Sequence, residues 1–361
     1  MDYFFSQALT DICEHSLIAP GRQLRAVIIV NPVSGGFIIK KKRQSRLGIL
    51  KEYRDKAMTM PKRPMYKNVI LDLTEGPGDA RELTKSLIKK AQDEITQLKE
   101  DAPFYLIISA GGDGTHCEIM YELYGAPEIV RSNIAILRLP MGTGDDGADS
   151  PHFDKTLDLL INPVHVEFAP AVQLITSPNG KNKDGHFLAF NILSAGLDAF
   201  VTHMTNIMKK KTPGDSYKLW LDIATLFYET KYKVDYFDVR AFDENDKEIR
   251  SFKEKLLLVA MGASGRRTYG SQNKILPDDR NVCAVKKISL LKKLALKGQI
   301  ANGAHVDNPN AIIFSANRLE FTGRHPILAQ MDGETVLLQP DDFPAVLKLT
   351  QPVIPMLKMN K

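Results

Sequence analysis

The sequence predicts an α/β fold in which an N-terminal domain with a parallel sheet precedes a C-terminal antiparallel β-sandwich domain. Four apolar strands alternate with helical segments up to about residue 163, which is the pattern of right-handed β-α-β crossovers. Beyond that point, short β-rich segments with turn signals predominate. A chain of 361 residues is also long enough to bury two medium-sized hydrophobic cores.

Each predicted strand of the N-terminal domain is followed by a turn and, in most cases, by a helix. The predicted strands are residues 25–30, 68–73, 104–109 and 133–139. A basic helical segment that includes residues 40–43 follows the first strand, and the next two helices are predicted over residues 79–99 and up to about Tyr124. Because parallel strands end at one edge of their sheet, the loops after these strands should lie together.

The C-terminal domain is predicted from six β-rich segments, a hairpin and two helices. The β-rich segments are residues 164–176, 186–193, 232–242, 256–262, 281–288 and 311–321, with the hairpin over residues 243–246. The helices are residues 215–230 and 289–299. The second helix, SLLKKLALKGQ, combines leucines with lysines, and two interpretations apply to it. Packing on its own sheet with solvated lysines is favoured over a membrane-facing role.

Composition and charge limit the classes of function. The chain is 43% hydrophobic and 25% charged, which is typical of a globular protein, and its net charge of +5 suits contact with polyphosphates or an anionic surface rather than nucleic acid. Its 3 cysteines lack metal-ligand spacing and indicate a reducing, cytoplasmic location. No run approaches the roughly 18 apolar residues of a spanning helix, so any membrane association should be peripheral.

The loop after the third strand, Ala-Gly-Gly-Asp-Gly-Thr over residues 110–115, has the clearest chemical signal. Its glycines can adopt positive φ and leave room for a bulky anion, and N–H groups at the following helix start would face that anion. Phosphate is the expected guest. Asp113 would repel phosphate unless Mg²⁺ lies between them or a substrate proton needs an acceptor. Thr115 and Glu118 have the spacing of a capping box that would fix the helix start.

A second acidic motif, Met-Asp-Gly-Glu over residues 331–334, interrupts strand-like sequence near the C-terminus. A surface hairpin is the simplest interpretation. Two carboxylates flanking a glycine could instead supply a base and a metal or hydroxyl contact.

Taken in order, the motifs resemble those of the diacylglycerol kinase catalytic-domain family, which includes bacterial lipid kinases, sphingosine kinases and ceramide kinases. The resemblance extends from about Arg25 to the C-terminus. The matching motifs are Asn31-Pro32 with Ser34-Gly35, Thr74 with Gly78-Asp79-Ala80, residues 111–115 with Glu118, Pro140 with residues 142–146, Asn191 with Gly196 and Asp198, Pro277-Asp278, and residues 332–334.

The resemblance implies a Rossmann-like nucleotide-binding domain over residues 24–163, completed by residues 340–361, and a β-rich lipid-substrate domain over residues 164–339. The active site would lie in the cleft between them. The implied activity is transfer of the γ-phosphoryl group of MgATP to a lipid hydroxyl, for which positioning and charge neutralisation suffice. The acceptor would be diacylglycerol or a sphingoid base. The implied partners are this lipid, an anionic membrane surface and a second copy in a homodimer.

The resemblance also implies roles for individual residues. Asp332 would be the general base toward the acceptor hydroxyl, with Glu334 supporting it. Asp113 and Asp146 would serve Mg²⁺ and the positioning of substrate. The implied nucleotide-binding residues are Asn31, Ser34, Thr74, Gly111, Gly112, Gly114, Thr115, Gly142 and Thr143.

The chain departs from the family pattern in two places. Asp145 stands where the family has an amide, and Asp149 stands where it has a basic residue. Added negative charge beside a triphosphate weakens binding unless a cation compensates it, which predicts an unusual acceptor or low activity. Residues 279–281 read Asp-Arg-Asn where an Asp-Gly pair is common, which argues against a structural metal near Asp278.

One alternative is a dinucleotide-binding enzyme. Residues 142–147 fit the Gly-x-Gly-x-x-Gly fingerprint, and Glu167 lies about twenty residues further on. Pro151 and the two acids in the loop weaken this interpretation. NAD kinases share the Gly-Gly-Asp-Gly loop, but they are not expected to combine it with the Asn31-Pro32 and 332–334 motifs.

Another alternative is a sensor that binds nucleotide or lipid without turnover. The two acids at positions 145 and 149 motivate it. The presence of Asp113, Asp332 and Glu334 argues against it, because a protein without turnover has no chemical need for that set.

Overall fold

The computed structural model describes residues 3–63, 69–211, 228–270 and 272–360. The chain divides into two compact units, Met1–Ala169 with Pro352–Lys361 and Pro170–Gln351. Each unit is described by itself below. Within the described residues, the structure contains no helix with the length and apolarity needed to span a bilayer.

The first unit is built on a sheet that contains all four predicted N-terminal strands. In the described part of the chain, this sheet has six strands in the order β2-β1-β3-β4-β19-β5. β1 to β4 run parallel to one another, β19 is parallel to β4, and β5 is antiparallel to β19. The strands are β1 (Leu24–Val30), β2 (Ile70–Leu73), β3 (Phe104–Gly111), β4 (Ile134–Pro140), β5 (Val164–Ala169) and β19 (Ile354–Met359).

The central strands β3 and β4 are mostly apolar, with Ser109 and Arg138 among their few polar residues, because helices cover both faces of a parallel sheet. Every residue of β3 and β4 is buried. The helices of this unit are α1 (Tyr3–Glu14), α2 (Gly35–Ile38), α3 (Lys40–Ala57), α4 (Asp79–Leu98), α5 (Asp113–Gly125), α6 (Glu128–Arg131) and α7 (Phe153–Ile161).

The N-terminal helix α1 precedes the first predicted strand and was not predicted from the sequence. Its buried residues are Phe5, Ala8, Leu9, Ile12 and Cys13, which is the i, i+3, i+4, i+7, i+8 spacing of an amphipathic helix. They join the core beneath β1 and α3. The first unit therefore begins before residue 24, where the sequence analysis started it.

The second unit contains the predicted antiparallel strands. They are β6 (Val172–Ile175), β7 (Phe187–Ala189), β8 (Ile192–Gly196), β9 (Tyr236–Phe242), β10 (Glu248–Gly262), β11 (Arg267–Tyr269), β12 (Asn273–Leu276), β13 (Val282–Lys286), β14 (Ala311–Phe314), β15 (Arg318–Thr322), β16 (Ile327–Met331), β17 (Glu334–Leu338) and β18 (Ala345–Leu349). The helices are α8 (Leu197–Lys211) and α9 (Leu290–Asn302).

The long strand β10 connects the two sheets of the β-sandwich. Its first half pairs with β9, and its second half pairs with β8 and β13, so it continues from one sheet into the other. Apolar side chains from both sheets, such as Val239 and Met261, form one core. A second cluster, which includes Phe200 of α8 and Leu296 of α9, covers the outer face of the β8-β10-β13 sheet.

The domain boundaries differ from the prediction at both crossings. Residues 164–176 were expected in one domain, but β5 pairs with β19 in the first unit while β6 pairs with β18 in the second. Residues 340–351 were expected in the first domain, yet β18 pairs with β15 of the second. Periodicity in the sequence identifies a strand without identifying its pairing partner, which is why these boundaries were misplaced.

Two smaller local predictions, a hairpin and a helix, are confirmed, and a third lies mostly outside the described residues. The hairpin between β9 and β10 is present, with Asp243 Oδ1 accepting the N–H groups of Asn245 and Lys247. The predicted helix 289–299 is α9. The predicted helix 215–230 falls almost entirely outside the described residues.

Candidate functional site

The loops after β1, β3 and β4 lie side by side at one edge of the first unit's sheet, as expected from parallel strands. The N–H of Asn31 donates to Ala110 O over 3.0 Å, and the N–H of Met141 donates to Gly111 O over 3.1 Å. The N–H of Gly36 donates to Met141 O over 2.7 Å. These bonds join the loops that contain most of the predicted nucleotide-binding residues.

Glycines are required here because the loops touch through their backbones. A Cβ on Gly142 would lie 2.8 Å from Gly112 Cα, and a Cβ on Gly35 would lie 3.0 Å from Thr143 Oγ1. The positive φ expected for the glycines of the 110–115 loop is absent: φ of Gly112 is −98°, and the positive-φ glycines of the described chain lie elsewhere. These glycines are needed because the loop backbones approach one another closely, and not because the glycines adopt positive φ. Gly114 differs, since a Cβ there would meet no atom of the described residues within 4 Å.

Asp113 is the first residue of α5 and bridges two of these loops. Its Oδ1 accepts the N–H of Gly147 over 2.7 Å, which ties the helix start to the loop after β4. Asp146 is half-buried in that loop. Within the described residues, no group of three or more His, Cys, Asp or Glu side chains could hold a metal. Mg²⁺ commonly binds one or two protein carboxylates together with phosphate oxygens. Asp113 and Asp146 therefore suit a magnesium ion that is bound as part of a metal–nucleotide complex.

Asp145 is bonded within its own loop and paired with a cation of α3. It adopts a left-handed conformation, φ 59°, and its Oδ1 accepts the N–H of Gly142 over 2.5 Å. Arg46 pairs with its other oxygen over 3.2 Å. Burial raises the pKa of Asp145 above its usual value, although the Gly142 N–H and the Arg46 guanidinium act in the opposite direction. The acid at the family's amide position therefore has its own cation.

Two basic residues of α3 hold the same loop, and the sequence analysis did not single them out. Lys42 Nζ donates to Gly142 O over 3.1 Å and to Thr143 O over 3.3 Å. Arg46 also donates to Pro140 O. The basic segment at the start of α3 was visible in the sequence. Its partners were not, because they lie about a hundred residues further along the chain.

Asp149 forms a buried ion pair with Arg138 of β4. Arg138 Nη2 lies 2.9 Å from Asp149 Oδ1, the Arg138 N–H donates to Asp149 Oδ2 over 2.7 Å, and both side chains are only 6% exposed. The acid at the family's basic position thus faces a buried cation on the adjacent strand. Both departures carry their compensation inside the first unit, so they do not predict repulsion of a triphosphate.

His116 lies beside this pair, beneath the glycine-rich loop. It is fully buried, and its Nδ1 lies 2.7 Å from Ser109 Oγ. Burial, followed by the nearby Arg138 guanidinium, lowers the pKa of His116 to about 3. The imidazole is therefore neutral at physiological pH, and its buried Nε2 has no hydrogen-bond partner within the described residues.

Acid should destabilise the protein through His116. Between pH 6.5 and about 3 the unfolded chain binds a proton at this residue and the native state does not, so its contribution to stability is lost as pH falls through that window. The slope from one such group is up to about 1.4 kcal/mol per pH unit. Urea unfolding from pH 7.5 to 4.5 should show a shallower pH dependence for His116→Gln than for the unmutated protein.

The exposed His165 is the control for that measurement, and His165→Gln should leave the pH dependence unchanged. Equal slopes for His116→Gln and the unmutated protein would show that His116 does not titrate differently in the two states.

The predicted capping box of Thr115 and Glu118 is wrong. The N-cap of α5 is Gly112, three residues before Thr115, so the helix begins earlier than the motif requires. Glu118 instead caps the neighbouring helix α4: Oε1 accepts the N–H of Gly78 over 2.9 Å and Oε2 accepts that of Arg81 over 3.3 Å. Thr115 Oγ1 accepts a bond from Asn31 Nδ2 over 3.3 Å.

The remaining polar nucleotide candidates line the same edge. Thr74, after β2, is buried and donates from Oγ1 to Val30 O over 3.3 Å. Ser34 is also buried, and its Oγ has no hydrogen-bond partner within the described part of the chain. A buried hydroxyl without a partner costs about 1–3 kcal/mol, so a ligand that bonds to Ser34 would relieve that cost.

The 331–334 motif forms a two-residue hairpin between β16 and β17. Met331 pairs with Glu334, and Asp332 and Gly333 both have positive φ, 46° and 109°, which is typical of a type I′ turn. The hairpin interpretation therefore accounts for the Asp-Gly pair. Glu334 is exposed at the start of β17.

The Asp332 carboxylate nevertheless does more than form a turn. Oδ1 accepts the N–H of Ile192 over 2.9 Å, and both oxygens approach the N–H of Asn191 at 3.1–3.2 Å. The N–H of Phe190 also donates to Oδ2. Three successive N–H groups thus hold the carboxylate in one orientation.

Within the second unit, a buried polar cluster lies next to Asp332. Gln330 Nε2 donates to Ser194 Oγ over 2.9 Å, and Ser194 donates to Asp198 at the start of α8. Asn191 Nδ2 donates to Thr268 O over 2.9 Å, and its buried Oδ1 has no partner among the described residues. Asn191 and Asp198 belong to the motifs quoted for the resemblance. Ser194 and Gln330 carry no sequence signal of their own.

The 278–280 segment differs from a metal loop in the way that the sequence suggested. The guanidinium of Arg280 bonds to both oxygens of Asp278, and its hydrogen bond is the first cause of a lowered Asp278 pKa. Arg266 pairs with Asp279 over 2.7 Å. These cations occupy the carboxylates that a metal would need.

Comparisons with known proteins agree with this organisation. Residues 25–167 match the sequence model of the diacylglycerol kinase catalytic domain. This range holds the loops around Ser34, Asp113 and Thr143, and the match indicates a phosphotransferase with a hydroxyl acceptor. A protein named "Probable lipid kinase YegS-like" from Pectobacterium atrosepticum is 25% identical over 248 residues, which is 68% of this chain and 75% of the relative.

Solved structures show the same fold. A crystal structure named as that of a candidate diacylglycerol kinase from Bacillus anthracis str. Sterne has a TM-score of 0.57 at 18% identity, covering 92% of this chain and 96% of the other. A second one from the same organism has a TM-score of 0.54 at 18% identity, covering 93% and 97%. These similarities establish the two-domain α/β architecture predicted from the sequence.

Proposed function

We propose that this chain, whose residues 25–167 belong to the diacylglycerol kinase catalytic-domain family, transfers the γ-phosphoryl group of ATP to the hydroxyl of a lipid. The acceptor class is diacylglycerol or a sphingoid base. The observation that carries the proposal is the joined set of glycine-lined loops at the carboxyl edge of the parallel sheet, where open α/β sheets bind their ligands.

The loops offer specific features for a nucleotide. Ser34 Oγ is buried without a partner in the described chain, and Gly114 leaves open space beside the start of α5. N–H groups at a helix start favour an anion. Lys42, now bonded to two loop carbonyls, adds a cation within reach of that loop. These features support phosphate binding at this edge.

Asp113 and Asp146 are the proposed holders of Mg²⁺ together with phosphate oxygens. Bound there, Mg²⁺ would neutralise charge on the transferred group. Asp113 also fixes the loop after β4 through Gly147, so it positions the site as well.

Asp332 is the proposed general base toward the lipid hydroxyl. Three backbone N–H groups orient its carboxylate, and the tight turn gives the side chain little freedom. Such pre-orientation supports a role in which one oxygen accepts the hydroxyl proton during transfer. Glu334, two residues further on, is the proposed supporting acid.

The sensor and the dinucleotide-binding hypotheses are less well supported by the structure than by the sequence. The sensor hypothesis was based on Asp145 and Asp149, and both are neutralised internally by Arg46 and Arg138. The dinucleotide fingerprint needs a helix directly after its glycines, whereas α7 begins only at Phe153. The lipid kinase proposal accounts for these observations better.

The test is incubation of the purified protein with radiolabelled ATP, Mg²⁺ and a mixed lipid extract. A labelled lipid would support the proposal, and its identity would assign the acceptor. Intact ATP binding without any labelled lipid, when defined diacylglycerol and sphingoid acceptors are also supplied, would favour the sensor. Absence of ATP binding would overturn the proposal.

The nucleotide site can be tested apart from catalysis. Ser34→Ala removes the unpartnered hydroxyl, and we expect ATP affinity to fall about five- to tenfold, the equivalent of one hydrogen bond of ~1 kcal/mol. Isothermal titration with ATP and Mg²⁺ measures this change. Ser45→Ala, on the exposed face of α3, is the matched control and should bind as the unmutated protein does. Unchanged affinity of Ser34→Ala would place the nucleotide elsewhere.

A further inference from the structure

Helix α9 has an inverted distribution of polar and apolar side chains. Leu290, Leu291 and Leu294 are 46%, 79% and 54% exposed, whereas Lys293 is only 8% exposed and pairs with Glu229. A helix that only packs on its own sheet buries its leucines and exposes its lysines. The interpretation favoured from the sequence therefore does not describe the first half of this helix.

The exposed leucines form a continuous sector. At 100° per residue, Leu290, Leu291 and Leu294, together with Ala295 and Gly298, span about 140° of the helix surface. The buried Lys293 and Leu296 lie on the other side. The arrangement is therefore an apolar face turned away from the core.

Cations border this apolar sector on both sides. Lys297 lies next to Leu290 on the helical projection, and Lys292 lies beyond Ala295. Both lysines are exposed, and so is Lys287 just before the helix. The α9 sequence contains three lysines and no aspartate or glutamate. The face therefore complements a surface that is apolar inside and anionic outside.

We propose that α9 docks the protein on an anionic lipid bilayer, with its exposed leucines at the headgroup boundary and Lys292 and Lys297 at lipid phosphates. Interfacial helices combine an apolar face with flanking lysines in this way. The inference rests on the proposed function, because a bilayer is where a lipid acceptor resides. It assigns the docking surface to one helix of the second unit.

The test uses sedimentation with vesicles of phosphatidylcholine alone or with about one-third phosphatidylglycerol. We expect the full-length protein to bind the anionic vesicles and to be released by salt, because screening weakens surface charge interactions. The variant Leu290→Ser/Leu291→Ser/Leu294→Ser should bind at least tenfold more weakly. Lys292→Glu/Lys297→Glu should lose the preference for anionic vesicles.

Matched controls separate α9 from general surface effects. Lys85→Glu/Lys90→Glu makes the same charge change at the same spacing on exposed positions of α4. Leu98→Ser and Ile249→Ser remove other exposed apolar side chains. These variants should bind vesicles as the unmutated protein does. If the triple leucine variant fails to fold, the lysine pair and its control decide the test.

Three outcomes would overturn the inference: no binding of the unmutated protein to anionic vesicles, equal loss in the α4 and α9 lysine variants, or undiminished binding of the α9 variants. A triple leucine variant that turns a dimer into a monomer while retaining vesicle binding would identify the face as a contact between copies.

A kinase assay distinguishes failure of this inference from failure of the proposed function. The α9 variants should phosphorylate a lipid acceptor in detergent micelles at the unmutated rate and the same lipid in vesicles at least tenfold more slowly. Equal rates in vesicles would overturn the inference alone. If the unmutated protein phosphorylates neither form, the proposed function fails, and vesicle binding still decides the role of α9.

Discussion

Replacement of Asp149 by asparagine should lower the free energy of unfolding by about 3–5 kcal/mol, the usual loss when one partner of a buried ion pair is removed. The Arg138 side chain is 6% exposed, so its charge would remain buried without the carboxylate that now faces it at 2.9 Å. The amide could still accept the Arg138 N–H but would not neutralise the guanidinium. Urea unfolding at pH 7.5 measures the change.

The exposed pair Arg266 and Asp279 supplies the matched control. Its side chains are 70% and 85% exposed, so Asp279→Asn should leave the free energy of unfolding nearly unchanged. A loss below about 1 kcal/mol for Asp149→Asn would contradict the prediction, since it would mean that Arg138 is hydrated in the native state.

A double variant tests whether the pair acts as a unit. Arg138→Met/Asp149→Asn removes both charges, and we expect it to be more stable than Asp149→Asn, because no uncompensated buried charge remains. Additive losses from the two single substitutions would show that the residues contribute independently.

Asp332→Asn should lower kcat for lipid phosphorylation by at least about 100-fold while leaving the affinity for ATP nearly unchanged. A general base contributes about 10²–10⁴-fold, and the amide cannot accept the hydroxyl proton. ATP affinity should persist because the proposed nucleotide residues lie in the first unit. Steady-state kinetics with the labelled acceptor and ATP titration measure the two quantities separately.

The substitution also alters three backbone contacts, so its structural effect needs a control. Asp243 occupies the hairpin between β9 and β10 of the same unit, and its carboxylate likewise accepts backbone N–H groups. Asp243→Asn should therefore reproduce a local structural effect without the loss of kcat. Thermal melts of both variants report folding. Full turnover by Asp332→Asn would remove the base assignment and leave Asp332 as a residue that shapes the turn.

Local sequence was sufficient for the secondary structure around the site. The apolar runs of β1, β3 and β4 predicted buried parallel strands, and parallel strands place their following loops at one edge. The Asp-Gly pair at residues 332–333 likewise predicted a tight hairpin. Strand periodicity and turn formation depend on residues only a few positions apart. They can therefore be predicted from a short stretch of sequence.

Long-range contacts decided what the individual acids do. Arg46 and Asp145 are separated by 99 positions, and Glu118 caps a helix whose N-cap residue, Gly78, lies 40 positions before it. From the sequence, Asp145 and Asp149 carried unexplained negative charge, and Glu118 fitted a capping box that does not form. Their partners lie on other strands and helices. The hydrophobic periodicity of one segment does not show which distant residues that segment contacts.

The sequence by itself therefore determined the parallel sheet, its glycine-rich loops and the acidic hairpin, because each depends on contacts within a short segment. The tertiary structure alone decided where the charges are compensated, which unit contains β5 and β18, and which side of α9 faces solvent. Those properties depend on which distant elements pack together. Burial and ion pairing are set by these neighbours in space.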